Sequence, residues 1–507
     1  MAKNGDKSTA SELSPLLSAS SKEDTPDHTL ADHYVARFWA MFWKNFFNTG
    51  MGYVLPLLNA ISGTAKSAGG GLGQLVWQAL AASLTQLTPM AANTQAINAS
   101  PEGMGFSEHH QREREYRLNT CFYGAVLVQI LVGGVTVSAM RKVTDLASSD
   151  LSLEAKLQAL SYYTPLALSG AYCNFISKAQ YAWLKLANKN MFLKIGLFQA
   201  FLYGAGTLGV RFLANPETQA PYGNCAGISN GAAVLSTTVY LGVTAKLDTS
   251  LLELNKMNLP SNARQYVRWY FDPQYLKDVV RYARWHIKHG TPLVIRSLLD
   301  LGMLAAFTFF AGRYGNDRDV AEANGIQTSV AIMVRFCGYP IMSLLRAAIR
   351  EQRNNHVVLK QAWQAVRNKL LLVGVSATFL SVPVTLAFTP ETYERGVVKV
   401  LAKPQVTVVP VTMMALELTK NVASGICSGF GDDNRAVLAN TLGLGSFILG
   451  CLALFEWGDA DANVLSLGLI MLVCSALSSG MMVCRARSIS PEPVDTHKPS
   501  GDDTSLP

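Results

Sequence analysis

Ala436-Val-Leu-Ala-Asn-Thr-Leu-Gly-Leu-Gly-Ser-Phe-Ile-Leu-Gly-Cys-Leu-Ala-Leu-Phe455 is a run of 20 residues without a charged side chain. As a helix rising ~1.5 Å per residue it covers ~30 Å, the thickness of the hydrocarbon core of a bilayer. A helix bonds its own backbone, so it survives where there is no water to do so. Tyr123–Met140 is another uncharged run, and Leu298–Gly312 is a shorter apolar run with Asp300 as its single charge. They recur from one end of the chain to the other, so the membrane part is the body of the protein and not an anchor.

Composition agrees. Of 507 residues, 49% are hydrophobic and 15% charged, against roughly 25% charged in a soluble domain; mean hydropathy is +0.19. Twelve spans are read at about 35–63, 72–97, 118–140, 158–183, 191–213, 226–246, 290–312, 321–349, 369–390, 403–428, 436–456 and 463–484. The fifth and ninth are interrupted by Gly or Pro. The expected fold is an all-α membrane protein of about twelve transmembrane helices in two six-helix bundles. The organisation reads as a polar tail 1–33, an N-lobe 34–248, a linker 249–283, a C-lobe 284–486 and a polar tail 487–507. Both tails read as disordered, and the first has no apolar core of a signal peptide.

Basic residues set the expected orientation. Arg112, Arg114 and Arg117, then Lys185, Lys189 and Lys194, fall in alternate loops. So do Lys246 to Lys288 after span six and Arg346 to Lys369 after span eight. The other loops are poorer, so both termini are expected in the cytosol. The Asn98-Ala-Ser100 sequon then lies on the wrong side for glycosylation. This placement explains the net charge of +8 as an inner-leaflet surface, and no nucleic-acid partner is expected. In the linker, residues 276–288 have a basic amphipathic pattern and read as a helix lying on the membrane surface. The eight cysteines form no CxxC pair, and none of the eight histidines has metal-ligand spacing. No G-x-S-x-G, H-E-x-x-H or P-loop pattern occurs, so an enzyme is not expected.

Charge inside the membrane carries the chemistry. Asp300 in span seven and Glu417 in span ten are the carboxylates read as well away from both span ends. Asp300 is about ten residues, or ~15 Å, into its helix. An acid there costs ~2.5–3.5 kcal/mol on insertion scales, and such groups face a cavity and bind a cation or proton. The plainer reading is local neutralisation, by Arg296 one turn before Asp300 and Lys420 three residues after Glu417.

His289-Gly-Thr-Pro292-Leu-Val-Ile-Arg-Ser-Leu-Leu-Asp300, closing near Gly315, resembles the seventh helix of multidrug and toxic compound extrusion (MATE) transporters of the NorM type. Glu417 followed by Gly425-Ile-Cys-Ser-Gly-Phe-Gly-Asp432 resembles that family's tenth segment, and Gly227-Ile-Ser-Asn-Gly231 its sixth helix. The resemblance covers about residues 35–485. It implies a cation site at Asp300 and Glu417 in an antiporter coupled to Na+ or H+, exporting an organic solute, amphipathic solutes included, by alternating access. No cofactor is implied beyond the coupling ion, and no metal beyond a Na+ at those two acids. The chain departs from the pattern at Asn59, which stands where many members carry an aspartate; this favours a C-lobe mechanism. Arg335, in the middle of span eight, either receives an anionic substrate or satisfies Asp300.

Asn45, Gln129 and Asn174 are candidate cavity residues, with helix–helix hydrogen bonding as the alternative. Glu12-Leu-Ser-Pro-Leu16-Leu17 resembles an acidic dileucine signal read by clathrin adaptors. It would place the protein in endosomal, lysosomal or vacuolar membranes; otherwise the plasma or inner membrane is expected. The alternatives to the antiporter are a lipid or lipid-linked saccharide flippase of the same superfamily and a non-transporting receptor or scaffold. A monomer is expected.

Overall fold

Short polar signals start the helices. Asn316 accepts the backbone N–H groups of Arg318 and Asp319, while the Asp319 carboxylate takes the Asn316 N–H, a reciprocal cap. Asn463 and Ser466 repeat the arrangement before the last helix. Pro404 opens another at the position where a missing N–H costs nothing.

The computed structural model describes residues 28–77, 130, 134, 137–147, 149–168, 189–214, 217–244, 273–351, 356–430, 432–458 and 462–489. Among these residues every regular element is helical. In order they are α1 His28–Gly50, α2 Val54–Ser62, α3 Thr64–Val76, α4 Val137–Leu146, α5 153–168, α6 Lys189–Gly209 and α7 Ala220–Thr244. Then come α8 Pro273–Tyr314, α9 Asp317–Met333, α10 Tyr339–Glu351, α11 His356–Phe388, α12 Glu391–Arg395, α13 Val397–Leu401, α14 Pro404–Gly429, α15 Asp433–Cys451 and α16 Val464–Ser488. A π turn at Val334–Gly338 joins α9 to α10 within span eight. Spans one and five to twelve each fall on a described helix, including the interrupted fifth and ninth. The greater parts of spans two, three and four lie outside the described residues. Four described helices are long and apolar enough to cross a membrane: Asp317–Arg346, Lys369–Phe388, Asn434–Glu456 and Val464–Ser488.

One expectation is corrected. Residues 276–288 do not form a separate surface helix but are the first part of α8, which runs unbroken for 42 residues, or ~63 Å. His289-Gly-Thr-Pro292 does not end it, because one missing N–H removes one bond from a ladder of many.

The apolar window of Asp317–Arg346 is 78% buried, whereas those of spans nine and eleven are 28% buried. The eighth span is therefore the hub, and the other two turn Leu371, Leu372, Phe379 and Leu449 outward, as lipid-facing helices do. Around the hub Phe307, Val330, Met413, Met414, Phe447 and Met471 are fully enclosed.

The first half of the chain reaches this hub through small residues on α3. A Cβ on Gly71 would lie 2.6 Å from Asn324 Cγ, and one on Gly69 would lie 2.5 Å from the Ala155 carbonyl oxygen. Close backbone approach of this kind holds helices together where lipid offers no hydrophobic drive. Further bonds join the halves at the end where the basic-poor loops gather. Ser152 donates its N–H to Asp317 at 2.9 Å, and Thr64 donates its hydroxyl to Glu394 at 2.7 Å. Arg313 donates to the Leu146 carbonyl at 3.2 Å.

Gly69→Ala should lower the stability of the purified protein by about 1–3 kcal/mol, because the backbone of α5 cannot yield as a side chain does. Gly445→Ala, which meets nothing within 4 Å, should be neutral or gain up to ~1 kcal/mol. Thermal unfolding in detergent measures both.

Candidate functional site

Glu417 lies on α14, three residues before Lys420, so the two side chains share a face. Both are buried, at 8% and 6% exposure. The Lys420 ammonium donates to both carboxylate oxygens, at 2.9 Å to Oε1 and 2.8 Å to Oε2. Ser475, fully enclosed on α16, donates its hydroxyl to Oε1 at 3.5 Å. Asn421 donates its amide to the Glu417 carbonyl at 2.7 Å. A buried charge pair is tolerated when its remaining lone pairs are also met, and Ser475 supplies one such contact to the carboxylate.

The pair opens on a small cleft with a cavity volume of about 20 Å³. Leu301 and Leu304 of α8, Arg335 and Tyr339 of span eight, and Glu417, Lys420 and Asn421 of α14 form its walls. Only about one water-sized body fits in its depth, so its scale suits a bare cation, a proton or a water molecule and not a drug-sized guest.

Arg335 owes its position to the π turn at Val334–Gly338. Such a turn withdraws a carbonyl from the regular helical ladder and is common at functional sites. Here the Arg335 carbonyl accepts the Asn45 side-chain amide at 3.0 Å. Its guanidinium stands 5.8 Å from the centroid of the Tyr53 ring, within cation–π range. Among the described residues no carboxylate pairs with it. Arg335 and Lys420 against Glu417 leave the described walls with one excess positive charge.

The helical turn of α8 that carries residue 300 forms part of the same wall through Leu301. The side chains of Asp300 and Arg296 lie outside the described residues, as do Gln129, Asn174, Glu12, Leu16 and Leu17. Asn45 joins the site through the Arg335 backbone. Asn59 is buried on α2 beside Gly70 and Gln219 and does not line the cleft.

A second group of charges was not legible in the sequence. Glu322 is the second residue of the span read as 321–349, and Glu391 follows the span read as 369–390; neither was singled out. Both are 4% exposed. Lys403 bridges them, 3.4 Å from Glu322 and closer to Glu391, and Arg318 and Arg395 also pair with Glu391. The cluster forms because α12 sets Glu391 against Arg318 of α9 and the residue before α14 brings Lys403 to both acids. For Glu391, which lies outside the spans, burial raises the carboxyl, but the Lys403 bond and then Arg318 outweigh it and hold it below its usual range. Among the described residues no three His, Cys, Asp or Glu side chains gather as a metal site.

No family model matches the chain, and no curated protein matches it in sequence. Its fold matches solved structures along nearly its whole length. An inward-facing multidrug resistance MATE transporter of the MOP superfamily superposes with a TM-score of 0.63 at 14% identity, over 87% of this chain and 94% of that one. The eukaryotic MATE transporter AtDTX14 gives 0.62 at 10%, over 91% and 97%. A MOP superfamily transporter from Pyrococcus furiosus Vc1 (DSM3638), whose binding pocket is described as reversed in polarity, suggesting a different function, gives 0.54 at 13%, over 92% and 98%. The chain has the MATE fold and is an integral, multi-pass membrane protein.

Lys420→Met should strand the buried Glu417 and cost about 3–5 kcal/mol, and adding Glu417→Leu should restore most of it; thermal unfolding of the two variants measures the difference. Glu391, held low when folded, stabilises the protein above the usual glutamate value of ~4.3, and that contribution is lost as pH falls below it. Acid melting curves should therefore be flatter below about pH 4.3 for Glu391→Gln than for the parent, and the variant should be the less stable of the two at neutral pH.

Proposed function

We propose that this protein is a cation-coupled antiporter that exports an organic solute by alternating access, with Glu417 and Asp300 as the coupling acids. The observation that carries the reading is the buried Glu417–Lys420 pair on the wall of a cleft sized for an ion. An ion shifts a conformational equilibrium only if it binds the two states with different affinity. Lys420 supplies such a difference: it occupies Glu417 in the state described, and Na+ or H+ would have to replace it in the other. Moving a population from 1:99 to 99:1 takes about 5.5 kcal/mol of differential binding, a scale that exchanging partners at a buried carboxylate can reach.

A second reading concerns the solute. Arg335, which pairs with no carboxylate among the described residues and stands over the Tyr53 ring, suits an anionic group, including a lipid headgroup, better than the lipophilic cations expected of multidrug exporters. The described reversal of pocket polarity in the Pyrococcus neighbour makes this a live alternative for the fold. A receptor or scaffold would keep the Glu417–Lys420 pair locked and would show no gradient-driven flux.

Proteoliposomes with Na+ or H+ gradients imposed separately decide between these readings. Efflux of a fluorescent organic cation should follow one gradient and fall at least about tenfold in Glu417→Gln, equivalent to ~1.4 kcal/mol, and in Asp300→Asn. Undiminished coupled transport in both variants would remove the acids from the mechanism. Absence of cation flux with transport of an anionic amphiphile would favour the second reading.

A further inference from the structure

We propose that Glu322 is a proton-binding site, separate from Glu417, at the end of the bundle where the basic-poor loops gather. Its carboxylate is 4% exposed, yet Oε1 has no hydrogen-bond partner. Buried polar atoms are almost always partnered, so a bare carboxylate oxygen marks a place where something binds. The other oxygen, Oε2, lies 3.4 Å from Lys403 Nζ.

That lysine is shared, and unequally. It sits closer to Glu391 Oε2, while Arg318 and Arg395 hold Glu391 Oε1. The charged groups facing Glu322 are therefore Lys403 from the start of α14 and Glu391 from α12, with Arg318 of its own helix and Arg395 engaged beyond Glu391. Gln405 turns its neutral side-chain amide toward the Glu322 carboxyl and favours its charged form, without reaching hydrogen-bond geometry at Oε1. Glu391 has three cations around it and keeps its charge. Glu322 has part of one, and a like charge across the shared lysine. Two carboxylates so placed do not both stay ionised as readily as one, and Glu322 is the member that takes up a proton.

The step balances simply. A proton from water forms an O–H bond at Oε1, the carboxyl becomes neutral, and nothing is oxidised or reduced. The neutral acid then offers a donor where the carboxylate had a bare acceptor, and Lys403 is left to Glu391. The site lies in the same loop cluster as the Thr64–Glu394 and Ser152–Asp317 contacts that join the two halves of the chain. Proton occupancy is thus sited where the halves meet.

Infrared difference spectroscopy of the purified protein, titrated from about pH 8 to about pH 4 around the usual carboxyl range, tests this without any transport assay. A protonated-carboxyl band should grow in as pH falls. Its component from this site should vanish in Glu322→Gln, shift in Glu322→Asp and remain in Glu417→Gln. Lys403→Met, which removes the cation Glu322 shares while leaving Glu391 its two arginines, should move the midpoint of that component to higher pH. A band unchanged by Glu322→Gln, or a midpoint unmoved by Lys403→Met, would overturn the proposal. Either failure would leave the antiporter reading standing, since that rests on gradient-driven flux.

Discussion

A peptide group in hydrocarbon has no water to bond, and every other feature of this chain answers to that constraint. It forces the described spans to be helices and leaves Leu371, Phe379 and Leu449 as the exposed surface. It also explains where the hydroxyls go. Thr378, Thr385, Thr389 and Thr419 each donate to the carbonyl four residues back, so a polar side chain in a span is satisfied by its own helix. Bonds between helices are then free to be few and specific, as Thr385 to Ser329 is at 2.8 Å.

Ionised groups cannot be satisfied so locally. Both charge clusters in the C-terminal half place a lysine against a buried carboxylate. At Glu417 the lysine comes from the same helix, with 2.8 Å contact and a serine supplying one further contact. At Glu322 it comes from another element and is divided between two acids. The first arrangement is a closed pair that an incoming cation must displace. The second leaves an oxygen open. Breaking a buried pair costs several kcal/mol, so neither would persist without another use for the charge or strong packing around it.

The hub position of span eight ties these sites together. Its first turns carry Arg318 and Glu322, its middle carries Asn324 against Ser67, and its π turn carries Arg335 into the cleft. A shift of this one helix would therefore be felt at both charge clusters and at the contact with the first half of the chain. Asn45 on α1 anchors the π turn, which connects span one to the same element.

The sequence by itself determined the solvent, the helical class, most span positions and the presence of Glu417 and Lys420 on one face. These are local properties: hydrophobic run length and a three-residue spacing suffice to read them. It placed the acid of span seven at midplane depth but could not show that the neighbouring Leu301 shares a cleft wall with Glu417; the packing of both helices against span eight decided that. It set 276–288 apart from span seven on its basic amphipathic pattern, whereas the two form one continuous helix. It passed over Glu322 and Glu391, the second residue of one span and the residue following another. Glu322 and Lys403 are 81 residues apart in the chain, and no spacing rule connects them. Only the meeting of α12 with α9 and the start of α14 encloses both acids at once, and burial is what turns an ordinary charged loop into a site.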